Sequence, residues 1–189
     1  IDEWHKQKLI QNSSDTTIIE RGFSTFFLNR TNRSGIIKGG VMGGKNQDGK
    51  YKLDCRYNKE KLVKKIISIA NLKERITLTK KDAKVFLADD INNIEKKCLI
   101  NIDPPYYVKG KGLYQNFFEH NDHYELRNVI QALERPWIVT YDNAPEINHL
   151  YNDFSPLSFD LRYTAQTKRD GSEVIVYSPL VNRSPLNPN

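Results

Sequence analysis

The apolar pattern changes character partway along the chain, at about residue 74. Before that point apolar residues recur at helical spacing or lose periodicity; beyond it, short continuous apolar runs alternate with helical stretches. Residues 16–29 predict a helix with Ile19, Phe23, Phe26 and Phe27 on its buried face. Between Arg30 and Lys50 periodicity vanishes among Gly39, Gly40, Gly43, Gly44 and Gly49, and Asp48-Gly49 is a tight-turn signal, so this stretch reads as loop plus a short β-hairpin. Asn58 is placed to cap a helix over residues 59–72, with Leu62, Val63, Ile66, Ile67 and Ala70 on its buried side.

The later pattern is strand and helix in alternation. It predicts a short strand at 75–79, a helix at 81–88, a central strand at 98–102, a helix at 122–134 and a buried strand at 137–141. Asp142-Asn143-Ala144-Pro145 then turns the chain into a helix over 145–151. Two closing strands, 157–163 and 173–178, are joined by a polar loop carrying Lys168-Arg169-Asp170-Gly171 and must run antiparallel. Alternation of strand and helix implies a parallel sheet for the rest. The Pro/Asn-rich tail at 182–189 reads as loose. The resulting division is a unit at 1–74 and a second at 75–189.

At 189 residues the chain has room for one sizeable core and a small appended subdomain. Cys55 and Cys98 lack ligand-type spacing, which argues against a disulfide framework or a zinc site. No apolar stretch reaches membrane-spanning length and no signal peptide opens the chain, so a soluble cytoplasmic protein is the expectation. The chain starts at Ile1, inside polar helix-like sequence, and reads as the C-terminal portion of something longer.

Charge adds a direction to this division. Net charge is +6, yet residues 1–75 hold 16 Lys/Arg against 8 Asp/Glu, and residues 21–65 hold 12 against 3. Concentration on one segment is the footprint of a polyanion binder. Lys59, Lys61, Lys64 and Lys65 also fit a solvated helix face. The basic residues between Arg30 and Arg56 sit among glycines instead, where that explanation is weaker.

Asp103-Pro104-Pro105-Tyr106 is the strongest chemical signal. It sits at the carboxyl end of a buried strand, where open α/β sheets bind ligands. Two prolines remove two amide donors and leave the carbonyl between them as an acceptor. A planar amine can donate to that carbonyl and to Asp103 while a ring packs on Tyr106, which suits chemistry on the exocyclic amine of a base. A strand-ending turn with a surface acid is the plainer alternative.

Taken in order, these segments resemble the Dam-type DNA adenine-N6 methyltransferases. The run from Phe26 through Asn29-Arg30-Thr31-Asn32-Arg33-Ser34-Gly35 is similar to the start of that family's target-recognition region. The glycine stretch and Arg56-Tyr57-Asn58-Lys59 resemble the family's recognition hairpin and its exit, Asp103-Pro104-Pro105-Tyr106 its catalytic motif, and the two closing strands its C-terminal β-hairpin. The resemblance implies an α/β fold: a Rossmann-like class I methyltransferase core with a C-terminal antiparallel β-hairpin, truncated at the N-terminus, plus a small helical/β-hairpin target-recognition subdomain. The family's glycine-rich turn for S-adenosylmethionine, and the acid that holds the cofactor ribose, have no counterpart. The resemblance therefore implies that they precede Ile1 in a parent protein, and that this piece alone binds cofactor poorly.

By the same resemblance the substrate is double-stranded DNA and the cofactor S-adenosyl-L-methionine, with no metal. Asp103 and the Pro104 carbonyl would accept from the N6 amine of an adenine flipped out of the duplex, with Tyr106 as the stacking platform. Asp82 would accept from the cofactor's adenine amine, beside the Asp103 end of the cofactor site. A helix cap is the rival role for Asp82, and core packing that for nearby Phe86. Asn29, Arg30, Asn32, Arg33, Ser34 and Lys38 supply donors for base edges and phosphates, and Lys109, Lys111, Lys168 and Arg169 flank the catalytic face as phosphate contacts. Arg30 has a rival role as a structural hydrogen-bond donor, and His120, His123 and His149 read as surface or cap residues. A catalytically inactive DNA-binding module with a degenerate methyltransferase fold, and a methyltransferase acting on an RNA base, stand as alternatives. A cognate restriction endonuclease encoded nearby is compatible with the resemblance, with no direct contact implied.

Overall fold

Two units make up the computed structural model, Ile1–Leu78 and Thr79–Asn189. It describes residues 1–95, 97–108, 110, 117–163 and 169–181, with backbone alone at 161–163, 169 and 170. The tail at 182–189 lies outside the described residues.

The first unit is built on two helices, α1 (Asp2–Asn12) and α2 (Ile18–Thr31). Thr17 starts α2 through a reciprocal cap: its hydroxyl accepts from the Glu20 amide and the Glu20 carboxylate accepts from the Thr17 amide. Those bonds hold the Glu20 carboxyl below its usual range, the backbone bond being the larger cause. The core is Trp4, Phe27, Leu28 and Val41, edged by Ile37, Leu53 and Tyr57. The buried face of α2 is thus one residue round from the expected one. Ser24, Phe27, Leu28 and Thr31 are inside, whereas Ile19 is 79% exposed and Phe23 is exposed too. Ser24 explains part of this shift, since its hydroxyl donates to the Gln7 carbonyl and draws that face of α2 onto α1.

The glycine-rich stretch forms no strands. The expected hairpin is reduced to an isolated bridge between Asn32 and Val41, with short 3₁₀ turns at Arg33–Gly35 and Leu53–Arg56. Gln47 explains why the loop closes otherwise: its side chain donates to the Met42 and Gly44 carbonyls and accepts from the Leu53 amide. These bonds take up backbone groups that a ladder would have used. Gly43, at φ +81°, lies so close to the Tyr51 carbonyl that an added Cβ would stand 2.6 Å from it.

Helix α3 (Lys59–Ala70) is capped by Asn58, whose side chain accepts from the Lys61 amide at 3.0 Å. Its apolar side is not buried as the pattern predicts: Val63, Ile66 and Ile67 are all exposed. The predicted strand at 75–79 is also absent. Ile76 is extended, but Leu78 is 93% exposed and no described residue pairs with the segment. Amphipathic spacing specifies a face or an extended backbone; it does not supply the surface that covers it.

The second unit is mixed α/β around a four-stranded sheet in the order β1-β2-β4-β3. Its strands are β1 (Ile100–Ile102), β2 (Trp137–Asp142), β3 (Leu157–Tyr163) and β4 (Arg169–Tyr177). β1 and β2 are parallel, while β2–β4 and β3–β4 are antiparallel. The expectation of a parallel sheet closed by an antiparallel pair therefore holds for one parallel pair among the described residues. β4 begins four residues before its predicted start, because Tyr163 pairs with Arg169 and carries the ladder into the expected loop.

The predicted helix at 81–88 is a short α4 (Ala83–Val85) that widens into a π turn at Phe86–Asp90. Helices α5 (His120–Gln131) and α6 (Pro145–Leu150) complete the unit. The core gathers Leu126 and Ile130 of α5 and Ile147 of α6 around Trp137, Val139 and Tyr141 of β2, with Val174 and Val176 of β4. Every other β2 side chain faces these helices, and the opposite face is half-buried. Burial of this central strand fixes where its carboxyl end, Thr140 to Asp142, emerges.

Candidate functional site

β1 stops at Ile102, and Asp103 follows at the carboxyl end of the parallel pair. Ile102 is in register with Val139, which brings Asp103 alongside Thr140; the Thr140 hydroxyl donates to Asp103 Oδ1 at 3.1 Å. Asp103 itself is exposed, so its carboxylate faces outward with one oxygen oriented from the sheet. It borders an open cleft of about 650 Å³, also lined by Asp82, Phe86, Pro104, Pro105 and Phe118.

The loop after Asp103 is pinned from two neighbouring strands. Asp142, at the end of β2, accepts from the Tyr107 amide with Oδ1 at 2.7 Å and from the Val108 amide with Oδ2 at 2.9 Å. The Tyr106 hydroxyl donates to Glu173 of β4 at 2.8 Å, and Glu173 lies opposite Asp142 in the ladder. Tyr107 turns the other way, its ring against His120 and His123 and its hydroxyl within hydrogen-bond distance of His120 Nδ1. Sequence reasoning missed Thr140, Asp142 and Glu173. The one signal that pointed to them was a carboxylate closing a second strand within the turn 142–145.

Asp82 caps α4, its Oδ1 accepting from the Lys84 and Val85 amides at 2.9 and 3.4 Å. It lines the same cleft as Asp103, so the cap and an exposed position at the cleft margin coexist in one residue. Phe86 also has two roles, partly buried against the core and exposed in part along the cleft wall. The lining joins apolar groups such as Phe86 and Phe118 to charges of both signs, Lys80 and Lys81 with Asp82 and Asp103, and fits a ligand that combines an aromatic ring with an amine and a carboxylate. S-adenosylmethionine is such a ligand.

His123 corrects the expectation of a surface or cap position. It is fully buried, ringed by Tyr107, Phe118 and Tyr141 at 5.2 to 5.4 Å, with Nδ1 3.1 Å from the Tyr141 hydroxyl. Burial pushes its imidazole below the ordinary value of 6.5, and His120 pushes the same way, while Asp122 and Asp142 oppose them. Burial likewise raises the Tyr141 and Tyr151 hydroxyls well above 10.

The residues expected to meet DNA separate into two groups in the first unit. Asn32 is a correction: it is fully buried, its Oδ1 accepts from the Trp4 indole at 2.6 Å, and its Nδ2 donates to the Ile36 and Ile37 carbonyls. A side chain with its donors and acceptor so engaged is scaffold, not a base reader. Arg30 takes its structural role, donating from Nε to the Arg56 carbonyl at 3.1 Å, and Arg56 in turn donates to the Asn29 and Asn32 carbonyls. Asn29 donates to the Gly35 carbonyl at 3.2 Å. Arg33, Ser34 and Lys38 are exposed on the turn these bonds shape, with Ser34 at φ +53°. Among the described residues the Arg33 and Lys38 side chains form no hydrogen bond or ion pair within the protein. Lys109, Lys111 and Lys168 lie outside the described residues, and Arg169 is the first residue of β4.

The mixed sheet presents an acid-Pro-Pro-aromatic loop at a strand end, beside a ligand-sized cleft. Residues 5–165 match the family model of the D12 class N6 adenine-specific DNA methyltransferases, most of the chain, and the chain belongs to that family. Its reaction class is therefore methylation of adenine N6 in DNA. The search of curated proteins found no match. No helix among the described residues is long and apolar enough to cross a membrane.

Proposed function

We propose that this chain carries the catalytic loop and part of the recognition surface of an S-adenosylmethionine-dependent enzyme that methylates a flipped-out adenine. The observation that carries the reading is the outward Asp103 carboxylate, oriented by Thr140, in the cleft that Asp82 and Phe86 also line.

The N6 amine of adenine is a weak nucleophile because its lone pair is delocalised into the ring. Asp103 and the Pro104 carbonyl accept its two N–H bonds and favour a pyramidal nitrogen, which localises the lone pair. Catalysis is then orientation and electrostatics. When bound, the cofactor supplies an electrophilic methyl group. Asp82 and Phe86 hold its adenine end, and Tyr106 stacks on the target base, whose eversion the duplex otherwise prevents. Arg33, Ser34 and Lys38 contact the DNA through phosphates and base edges, as part of a small recognition subdomain appended to a Rossmann-like core. Lys109, Lys111, Lys168 and Arg169 add further phosphate contacts.

The test is Asp103→Ala in the enzyme expressed from its complete reading frame, with unmethylated plasmid DNA and radiolabelled methyl donor. Methyl transfer falls by a factor on the order of a thousand while DNA affinity stays within a few-fold. Wild-type turnover rejects the assignment.

A further inference from the structure

Beyond Ile102 the catalytic loop leaves the sheet, and its backbone is anchored at a different strand. Pro104 and Pro105 carry no amide hydrogen, so neither of those peptides can be tied down as a donor. Tyr107 and Val108 do the tying: both amides point at one carboxylate, Asp142, and each takes a separate oxygen at 2.7 and 2.9 Å. Asp142 is 5% exposed and ends β2, an inner strand of the sheet. A buried carboxylate is costly unless hydrogen bonds compensate it. Its two side-chain bonds among the described residues both go to this loop. A loop conformation that withdraws both amides takes away these hydrogen bonds, and the cost of that loss favours the conformation seen.

On the strength of this geometry, and resting on the active-site reading above, we propose that Asp142 is a positioning residue for methyl transfer. It clamps the loop backbone just after Tyr106 and so holds the Pro104 carbonyl and the Tyr106 ring at a set distance from Asp103. It touches neither base nor cofactor. The sheet supplies the rigidity: Asp142 is paired to Glu173 on β4, and β2 is in register with β1, whose end carries Asp103. Misplacement of a reacting group by about 1 Å can cost about a hundredfold in rate.

Asp142→Asn keeps the shape and replaces one acceptor oxygen with a donor that confronts an amide N–H. In the enzyme from the complete reading frame, acting on unmethylated plasmid DNA with radiolabelled S-adenosylmethionine, the single-turnover rate falls about 10- to 100-fold. KM for the methyl donor and Kd for DNA stay within about threefold. A rate within twofold of wild type overturns the proposal, as does a loss of rate matched by equal losses in both affinities. Asp103→Ala run alongside separates the two readings. If it retains full activity, the active-site reading fails and takes this inference with it; if it is inactive beside a wild-type Asp142→Asn, only the clamp fails.

Should Asp142→Asn not fold, the wild-type enzyme still decides the matter by amide hydrogen exchange. Slow exchange at both Tyr107 and Val108 supports the clamp, and exchange at unprotected rates at both overturns it.

Discussion

The Tyr106 hydroxyl donates a 2.8 Å hydrogen bond to the Glu173 carboxylate, joining the loop after Asp103 to a strand residue 67 positions further along the chain. Glu173 also lies opposite Asp142 across β2 and β4, so two facing acids hold consecutive parts of one loop. The ring proposed to stack on the target base is thereby tied at its far end.

Separating ring from tether gives the first prediction. Tyr106→Phe keeps the stacking face and loses the tether, and lowers methyl transfer by less than about tenfold. Tyr106→Ala loses the face as well. A base–aromatic stack contributes about 1–3 kcal/mol, so Tyr106→Ala is expected to lose a further fivefold to hundredfold. Steady-state kinetics on unmethylated DNA check the order; equal losses in the two variants would remove the stacking role.

Neutralising Arg33 and Lys38 weakens DNA binding and flattens its salt dependence. Each lost phosphate contact removes about 0.9 from the slope of log K against log salt, so the double alanine variant loses about two. Fluorescence anisotropy at several salt concentrations measures it. An unchanged slope assigns these side chains away from phosphate.

Asn32→Ala, one residue before Arg33, behaves differently because its bonds are internal. The Trp4 indole N–H and the Ile36 and Ile37 carbonyls lose their partner, and the unit loses about 3 kcal/mol of stability. Denaturant unfolding followed by tryptophan fluorescence reads this. A stability change under about 0.5 kcal/mol would show that solvent replaces these bonds freely.

His123 gives stability a dependence on mildly acid pH. Its folded value is depressed below 6.5 by burial, so the unfolded chain takes up a proton more readily. Above about pH 6.5 both states are neutral and the contribution is constant. As pH falls below 6.5 the unfolded state gains the proton first and stability drops, levelling off once pH passes the folded value. His123→Phe removes this dependence, and denaturation midpoints at pH 8, 6.5 and 5.5 compare the two proteins. Parallel pH profiles in wild type and variant would contradict the burial.

Chemistry demanding particular residue types was legible before any fold was known. Asp103-Pro104-Pro105-Tyr106 stood out because it sets an acid, two missing amide donors and a ring in succession at a strand end, although a plain strand-ending turn fits the same four residues. The cap at Asn58 was legible too, since its side chain acts on an amide three residues away. Strand existence was readable where apolar residues run continuously, as in 137–141.

Whatever depends on distant partners was decided only by the tertiary structure. Asn32 and Arg33 are adjacent and equally polar, yet Trp4 claims one for the scaffold and leaves the other at the surface. Ile76 and Leu78 alternate like a strand, but strand formation requires a neighbour to accept the ladder. The clamp of Asp142 on Tyr107 and Val108 spans about 35 residues and arises because β1 and β2 are parallel and in register. Local chemistry is written in the order of the residues; which polar groups meet is settled by the packing that brings separate segments together.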